Sequence, residues 1–160
     1  MAEKASLFKE HRAVELIMSS PDPSTHKRIG RNVRNFDSAV WDREKQNAVL
    51  SGNYAKFTQN PAMKHLLLST GNKRLAEACP LDPVWSIGLR ADDPRAKDPR
   101  QWRGEKSLGE ALSAVREEFC DTETGVANPA SRPPLLGSVL PRGILAVSYT
   151  HLTLPTICSV

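Results

Sequence analysis

Apolar residues recur at helical rather than alternating spacing over most of residues 1–120. Leu7, Val14, Ile17 and Met18 mix with charges at helical intervals, so the chain is expected to begin inside or right at a helix reaching Ser19. Ser20-Pro21-Asp22-Pro23 breaks that pattern, and Asp22 or Ser24 is placed to cap a short basic helix from His26 to Arg34. Asp37 is the expected cap of the next helix, which runs through Val40, Trp41, Ala48, Val49 and Leu50 and ends near Ser51-Gly52. A short segment, 53–59, carries Lys56-Phe57. Asn60-Pro61 predicts a helix start, with a side-chain acceptor at the cap and proline in the first turn, where no amide hydrogen is needed. Met63, Leu66, Leu67 and Leu68 supply its apolar side, and Gly71 its stop.

Leu75-Ala76-Glu77-Ala78 is short enough to be a strand and leads into Asp82-Pro83-Val84-Trp85. Residues 90–101 are charged and proline-bearing, hence a surface loop. Ser107 is the expected cap of a last helix, with Leu108, Leu112, Val115 and Phe119 on one face and Glu110, Glu117 and Glu118 away from it. These elements predict a mainly α fold with a small β component, in the α+β class.

After Asp121 the character changes: 122–140 is rich in Pro, Ser and Gly without periodicity, and 121–146 is expected to be a disordered tail. Val147-Ser148-Tyr149-Thr150-His151-Leu152-Thr153-Leu154-Pro155-Thr156 reads as one frame of a transposase sequencing adapter, and a terminal Val160 fits the same frame. Residues 147–160 are therefore expected to be a library artefact, and His151 and Cys158 to carry no chemistry.

Composition is that of an ordinary globular protein, 39% hydrophobic and 25% charged. A net charge of +4 suits a phosphorylated or nucleic-acid ligand but does not by itself amount to the concentrated basic stripe of a dedicated nucleic-acid binder. Cys79, Cys120 and Cys158 are odd in number and widely spaced, which points to a reducing cytoplasm. Neither a membrane-length apolar run nor a signal peptide is visible, so a soluble, cytoplasmic protein with no membrane partner is expected. His11, His26 and His65 lack metal-ligand spacing, and glycine-rich phosphate loops are missing, so no metal and no cofactor are expected.

Several blocks share an order and spacing with one known family. They are Ala2-Glu3-Lys4-Ala5; Gly30-Arg31-Asn32-Val33 followed by Trp41; and Lys56-Phe57-Thr58-Gln59-Asn60-Pro61 with Leu67-Leu68-Ser69-Thr70-Gly71. Leu75-Ala76-Glu77-Ala78 through Asp82 and Trp85-Ser86-Ile87-Gly88 is the most specific. Trp102-Arg103-Gly104-Glu105-Lys106-Ser107-Leu108-Gly109, leading into Ala111-Leu112 and Val115-Arg116, completes the set. In these blocks the chain resembles the NADAR (YbiA-like) domain family over residues 1–120, which implies a single compact YbiA-like domain. The family's opening strands, and a Glu shortly before the Lys4 position, have no counterpart, so the chain is expected to lack both. Ser86 stands where the family usually has Gly, and Lys106 where it usually has Asn.

The resemblance implies an N-glycosidase acting on ADP-ribosylated guanine in nucleic acid or on a phosphoribosylamino-pyrimidine intermediate of riboflavin synthesis. Its partner is then a nucleotide-like small molecule or an ADP-ribosylated nucleic acid; the oligomeric state is left open. Such chemistry needs a group that captures the sugar carbon and an acid or base for the leaving base and the water. By resemblance Lys4 is the candidate Schiff-base lysine, which must be neutral to attack and so needs a pocket that lowers its pKa. Glu77 and Asp82 are the candidate assisting carboxylates; from the residues alone, Glu77 reads equally as an exposed strand position and Asp82 as a turn residue before Pro83.

Trp85 is a candidate stacking residue or a core residue, and Gly88 a candidate close approach of backbone to ligand. Arg31 and Lys56 are candidate phosphate partners. Trp102 and Lys106 are candidate lip residues, with Ser107 offering helix-terminal amides to an anion. The alternative is a non-catalytic module that holds an ADP-ribose-type ligand, or an inactive fragment.

Overall fold

The computed structural model describes residues 1–124 and 157–159. Packing divides them into two units, Met1–Ala48 and, from residue 49, 49–124 with 157–159.

The first unit holds α1 (Ala2–Leu7), α2 (His11–Ser19), α3 (Pro23–Arg31) and the start of α4 (Ser38–Gln59). The single opening helix expected from the pattern is two helices. Lys9 takes a left-handed φ of 57°, and the turn closes with Lys9 N–H donating to Ser6 O and Glu10 N–H to Ala5 O, each at 2.9 Å. That turn lets Ala5 meet Ala13, Ile17 and Val33 in one buried cluster, with Phe8, Val14 and Ile29 against it. Asp22 caps α3 as expected, accepting from Ser24 N–H at 3.0 Å and Thr25 N–H at 2.9 Å. The helix stops at Arg31 rather than Arg34, where Asn32 Nδ2 donates back to Arg28 O and the chain turns Val33 into the cluster.

Asp37 caps α4 by accepting from Val40 N–H at 3.0 Å. The helix does not end at Gly52, which faces open space, but continues to Gln59. Asn60-Pro61 does open the next helix as expected, but Asn60 plays a different part in it. Its side chain accepts no capping bond for α5 (Pro61–Ser69); Nδ2 instead donates to Lys56 O at 2.6 Å and closes the end of α4.

The second unit adds α5, β1 (Leu75–Glu77), α6 (Ser107–Thr124) and β2 (Ile157–Ser159). Gly71 has φ +53° and ends α5 as predicted. The β1 strand divides two clusters by its own alternation. Leu75 joins Phe57, Leu67, Leu112, Val115 and Phe119, while Ala76 joins Ile87, Leu89 and Ala96. Tyr54 stacks on Phe119 at 4.9 Å. Gly109 lets α6 lie directly on β1, since a Cβ there would run into Leu75 O. The backbone of β2 pairs antiparallel with β1, Ala76 opposite Cys158. Helix α6 extends to Thr124; residues 125–146, and the adapter-like residues 147–156 and 160, lie outside the described residues. The described fold is mainly α with a small β part, as the pattern predicted.

Arg116 is the buried charge of this unit, 8% exposed. Its Nη1 donates to Thr70 Oγ1 at 2.7 Å and to Lys73 O at 2.9 Å, tying α6 to the turn after α5. Arg116→Ala leaves those acceptors unsatisfied, and unfolding in denaturant is expected to show a loss of about 2 kcal/mol. Arg116→Lys should recover only part of it, because the shorter, more flexible lysine stem does not hold its ammonium at the Nη1 position.

Candidate functional site

In the first unit, one turn of α1 and the chain entering α4 enclose Lys4. Its Nζ lies 4.0 Å from the centre of the Phe36 ring and 5.8 Å from that of Trp41, and Phe8 packs edge-on against Phe36 at 5.3 Å. Two effects act on the amine. Partial burial moves its pKa down from the ordinary lysine value, while the ring faces favour the ammonium and limit that shift. Phe36 was not among the residues singled out from the sequence. Its signal is local: an aromatic left 45% exposed between Asn35, at φ 54°, and the helix cap Asp37, which places its ring rather than burying it.

Arg31 also belongs to the first unit. It is exposed on α3 and, with Ser24, Lys27, Arg28 and Asn32, lines an open groove of about 330 Å³.

The second unit brings most of the remaining candidates together. Residues 83–87 and 103–108 are laced by backbone bonds. Arg103 and Gly104 N–H donate to Ile87 O, and Glu105 N–H to Pro83 O at 2.8 Å. Lys106, Ser107 and Leu108 N–H donate to the carbonyls of Ser86, Val84 and Trp85 at 3.1–3.2 Å. This lacing corrects one expectation: the first amides of α6 are already occupied, so Ser107 does not offer them to an anion. Nor is Ser107 the cap. Lys106, at φ 53°, holds that position, with its carbonyl accepting from Glu110 N–H.

Asp82 takes the turn role, one oxygen accepting from Val84 N–H at 3.0 Å and Trp85 N–H at 2.9 Å. Glu77 is half-buried on β1, with its carbonyl accepting from Ile87 N–H. Trp85 is half-buried. Gly88, at φ +69°, turns its bare face to Gly104 N and Arg103 Cβ, so the close approach it permits here is to protein backbone. Trp102 is half-buried beside Ala76, Ile87, Leu89 and Ala96 and donates through Nε1 to Ala96 O at 2.9 Å. Lys106 Nζ pairs with Glu110 at 3.0 Å on the surface.

Lys56, near the end of α4, is half-buried, and burial lowers its pKa. Ser86 is fully buried; its hydroxyl shares one hydrogen between the carbonyls of Cys79 at 2.5 Å and Asp82 at 2.6 Å, and accepts from Gly88 N–H. The Ser86 side chain therefore staples the turn. In the loop 90–101, Arg90, Arg95 and Arg100 clamp Asp92, Asp93 and Asp98, and hydrogen bonds from Arg95 bring the Asp93 carboxyl down to about 2. Among the described residues, no helix is long and apolar enough to cross a membrane.

The family model described as the NADAR domain matches residues 1–120. The chain belongs to the NADAR domain family. This NADAR chain is 42% identical over 118 residues to N-glycosidase R617 of Acanthamoeba polyphaga mimivirus, covering 74% of the chain and 69% of that protein. It is 34% identical over 121 residues to Protein irg-1 of Caenorhabditis elegans, of which it spans 57%. A cyanobacterial relative, N-glycosidase Npun_R5314 of Nostoc punctiforme, is 26% identical over 118 residues, 69% of its length. The NADAR match spans residues of both units, Lys4 and Arg31 in the first and the 77–107 candidates in the second.

Proposed function

We propose that this NADAR chain is an N-glycosidase that uses Lys4 as its nucleophile and acts in the cytoplasm. The observation that carries the reading is the Lys4 amine, half-buried on the Phe36 and Trp41 rings, in a chain whose relatives include two proteins named N-glycosidase. The neutral amine attacks C1 of the ribose, and the base nitrogen departs carrying a proton. Water then hydrolyses the ring-opened imine, which frees the sugar and restores the amine. Glu77 is the proposed proton carrier. Asp82 shapes the turn and orients ribose hydroxyls through its remaining oxygen. Trp85 stacks on the substrate, while Arg31 and Lys56 bind its phosphates.

The proposed substrates are guanine-linked ADP-ribose in nucleic acid and phosphoribosylamino-pyrimidines. Incubating the full chain with each substrate, with cyanoborohydride present, tests the reading. Released sugar product, and a reduced sugar adduct mapped to the Lys4 peptide by mass spectrometry, are expected from one of them. Turnover without any adduct at Lys4 would remove the lysine from the mechanism. No turnover of either substrate by a cooperatively folding protein would leave a ligand-holding module.

A further inference from the structure

Helix α3 presents one face made only of polar and cationic side chains. Ser24, Lys27, Arg28, Arg31 and Asn32 fall at i, i+3, i+4, i+7 and i+8, the spacing of a single helical face, and together they line the open 330 Å³ groove. The opposite face is committed to the protein. Ile29 packs on the buried cluster, Gly30 lies under the Met1 side chain, and His26 Nε2 bonds with Ser20 O at 2.6 Å. Acidic residues are missing from 23–36, which carries Lys27, Arg28, Arg31 and Arg34. The adjoining Asp22 carboxylate spends its oxygens on Ser24 N–H, Thr25 N–H and Thr25 Oγ1, and Glu10 Oε2 accepts from the Arg34 backbone N–H at 3.1 Å. Lys27, Arg28 and Arg31 enter no ion pair among the described residues. The positive charge on this face is therefore concentrated and uncompensated.

We propose that the α3 face is a docking strip for the phosphodiester backbone of a nucleic acid. Lys27 to Arg31 spans about 6 Å along the helix axis at 1.5 Å per residue. That reach covers about two successive phosphates of one strand, spaced roughly 3.4 Å along the duplex axis. An open groove admits a polymer that passes through it. The absence of any apolar side chain on the lining face argues against a lipid surface, where such a helix buries an apolar stripe. The strip reads no base, so it supplies affinity and register without sequence preference. It rests on α3 alone and stands whether or not Lys4 is catalytic. If correct, it favours a nucleic-acid-borne substrate over a free nucleotide for the proposed activity.

The test is binding of an unmodified, fluorescently labelled DNA duplex to the full chain, followed by anisotropy from about 50 to 200 mM salt. The variant carries Lys27→Gln, Arg28→Gln and Arg31→Gln together, all on the solvent face, with its melting temperature checked against the parent. A control carries Arg90→Gln, Arg95→Gln and Arg100→Gln, which removes the same charge from residues already paired with aspartates. The expected result is binding whose salt slope falls by about 2–3 in the α3 variant, roughly 0.9 per lost phosphate contact, with affinity down about tenfold or more, and little change in the control. Equal losses in both variants would reduce the effect to net charge and overturn the proposal. So would an unchanged slope in the α3 variant, or binding of anionic vesicles, rather than duplex, that depends on these three residues.

Discussion

Lys4→Arg is expected to abolish glycosidic cleavage, by at least about a hundredfold in kcat, while leaving substrate binding within a few-fold. Arginine preserves the positive charge and the contacts with the Phe36 and Trp41 ring faces, so it separates charge from nucleophilicity. Lys4→Ala should lose turnover equally and weaken binding further, because the ring faces lose their cation. The parent's pH profile carries the sign of the environment. Only the neutral amine attacks, and burial lowers the Lys4 pKa, so the rate should rise with pH along a limb below the ordinary lysine value of 10.5. Phe36→Leu removes a ring face that favours the ammonium, and should shift that limb further down. Full activity in Lys4→Arg would end the nucleophile assignment outright.

Gly104→Ala is expected to cost roughly 3 kcal/mol or more of folding stability. A Cβ at that position would strike Ser86 O and crowd Gly88 N and Pro83 O, each at 3.1 Å. All three are backbone atoms, so no side-chain rotation relieves the overlap. The segments cannot part without also breaking the bonds that Arg103 to Leu108 donate to 83–87. The cost should appear as a lower denaturant midpoint and as faster amide exchange at residues 103–108. Gly52→Ala is the matched control: it lies in open space on α4 and should stabilise the helix by up to about 1 kcal/mol. A Gly104→Ala variant as stable as the parent would contradict the laced arrangement.

Helix caps and stops were legible where a local bond carries them. Asp22, Asp37 and Gly71 each do what their residue type and position imply. The strand at 75–77 and the apolar face of α6 were legible from spacing. Gly52 looks like punctuation, yet α4 passes through it; Asn60 does stand at the start of α5, but its side chain bonds backward to Lys56 O instead of capping forward. Lys9 offers no signal for a left-handed turn; the need to bring Ala5 against Ala13 and Ile17 selects it.

Among the candidate site residues, chain order alone determined the family, through blocks that occur in sequence from Lys4 to Arg116, and with it the chemical question to ask. Residue type also determined that Asp82 begins a turn. What surrounds each residue only the tertiary structure decided, because burial and pairing depend on partners far along the chain. Phe36 and Trp41 reach Lys4 from more than thirty residues away. Trp102 is claimed by Ala96 and the core, and the amides opening α6 by residues 84–86. A net charge of +4 spread along a sequence gave no stripe. The α3 face became one because the helix turns its cations to a single side while its other side is drawn into the core.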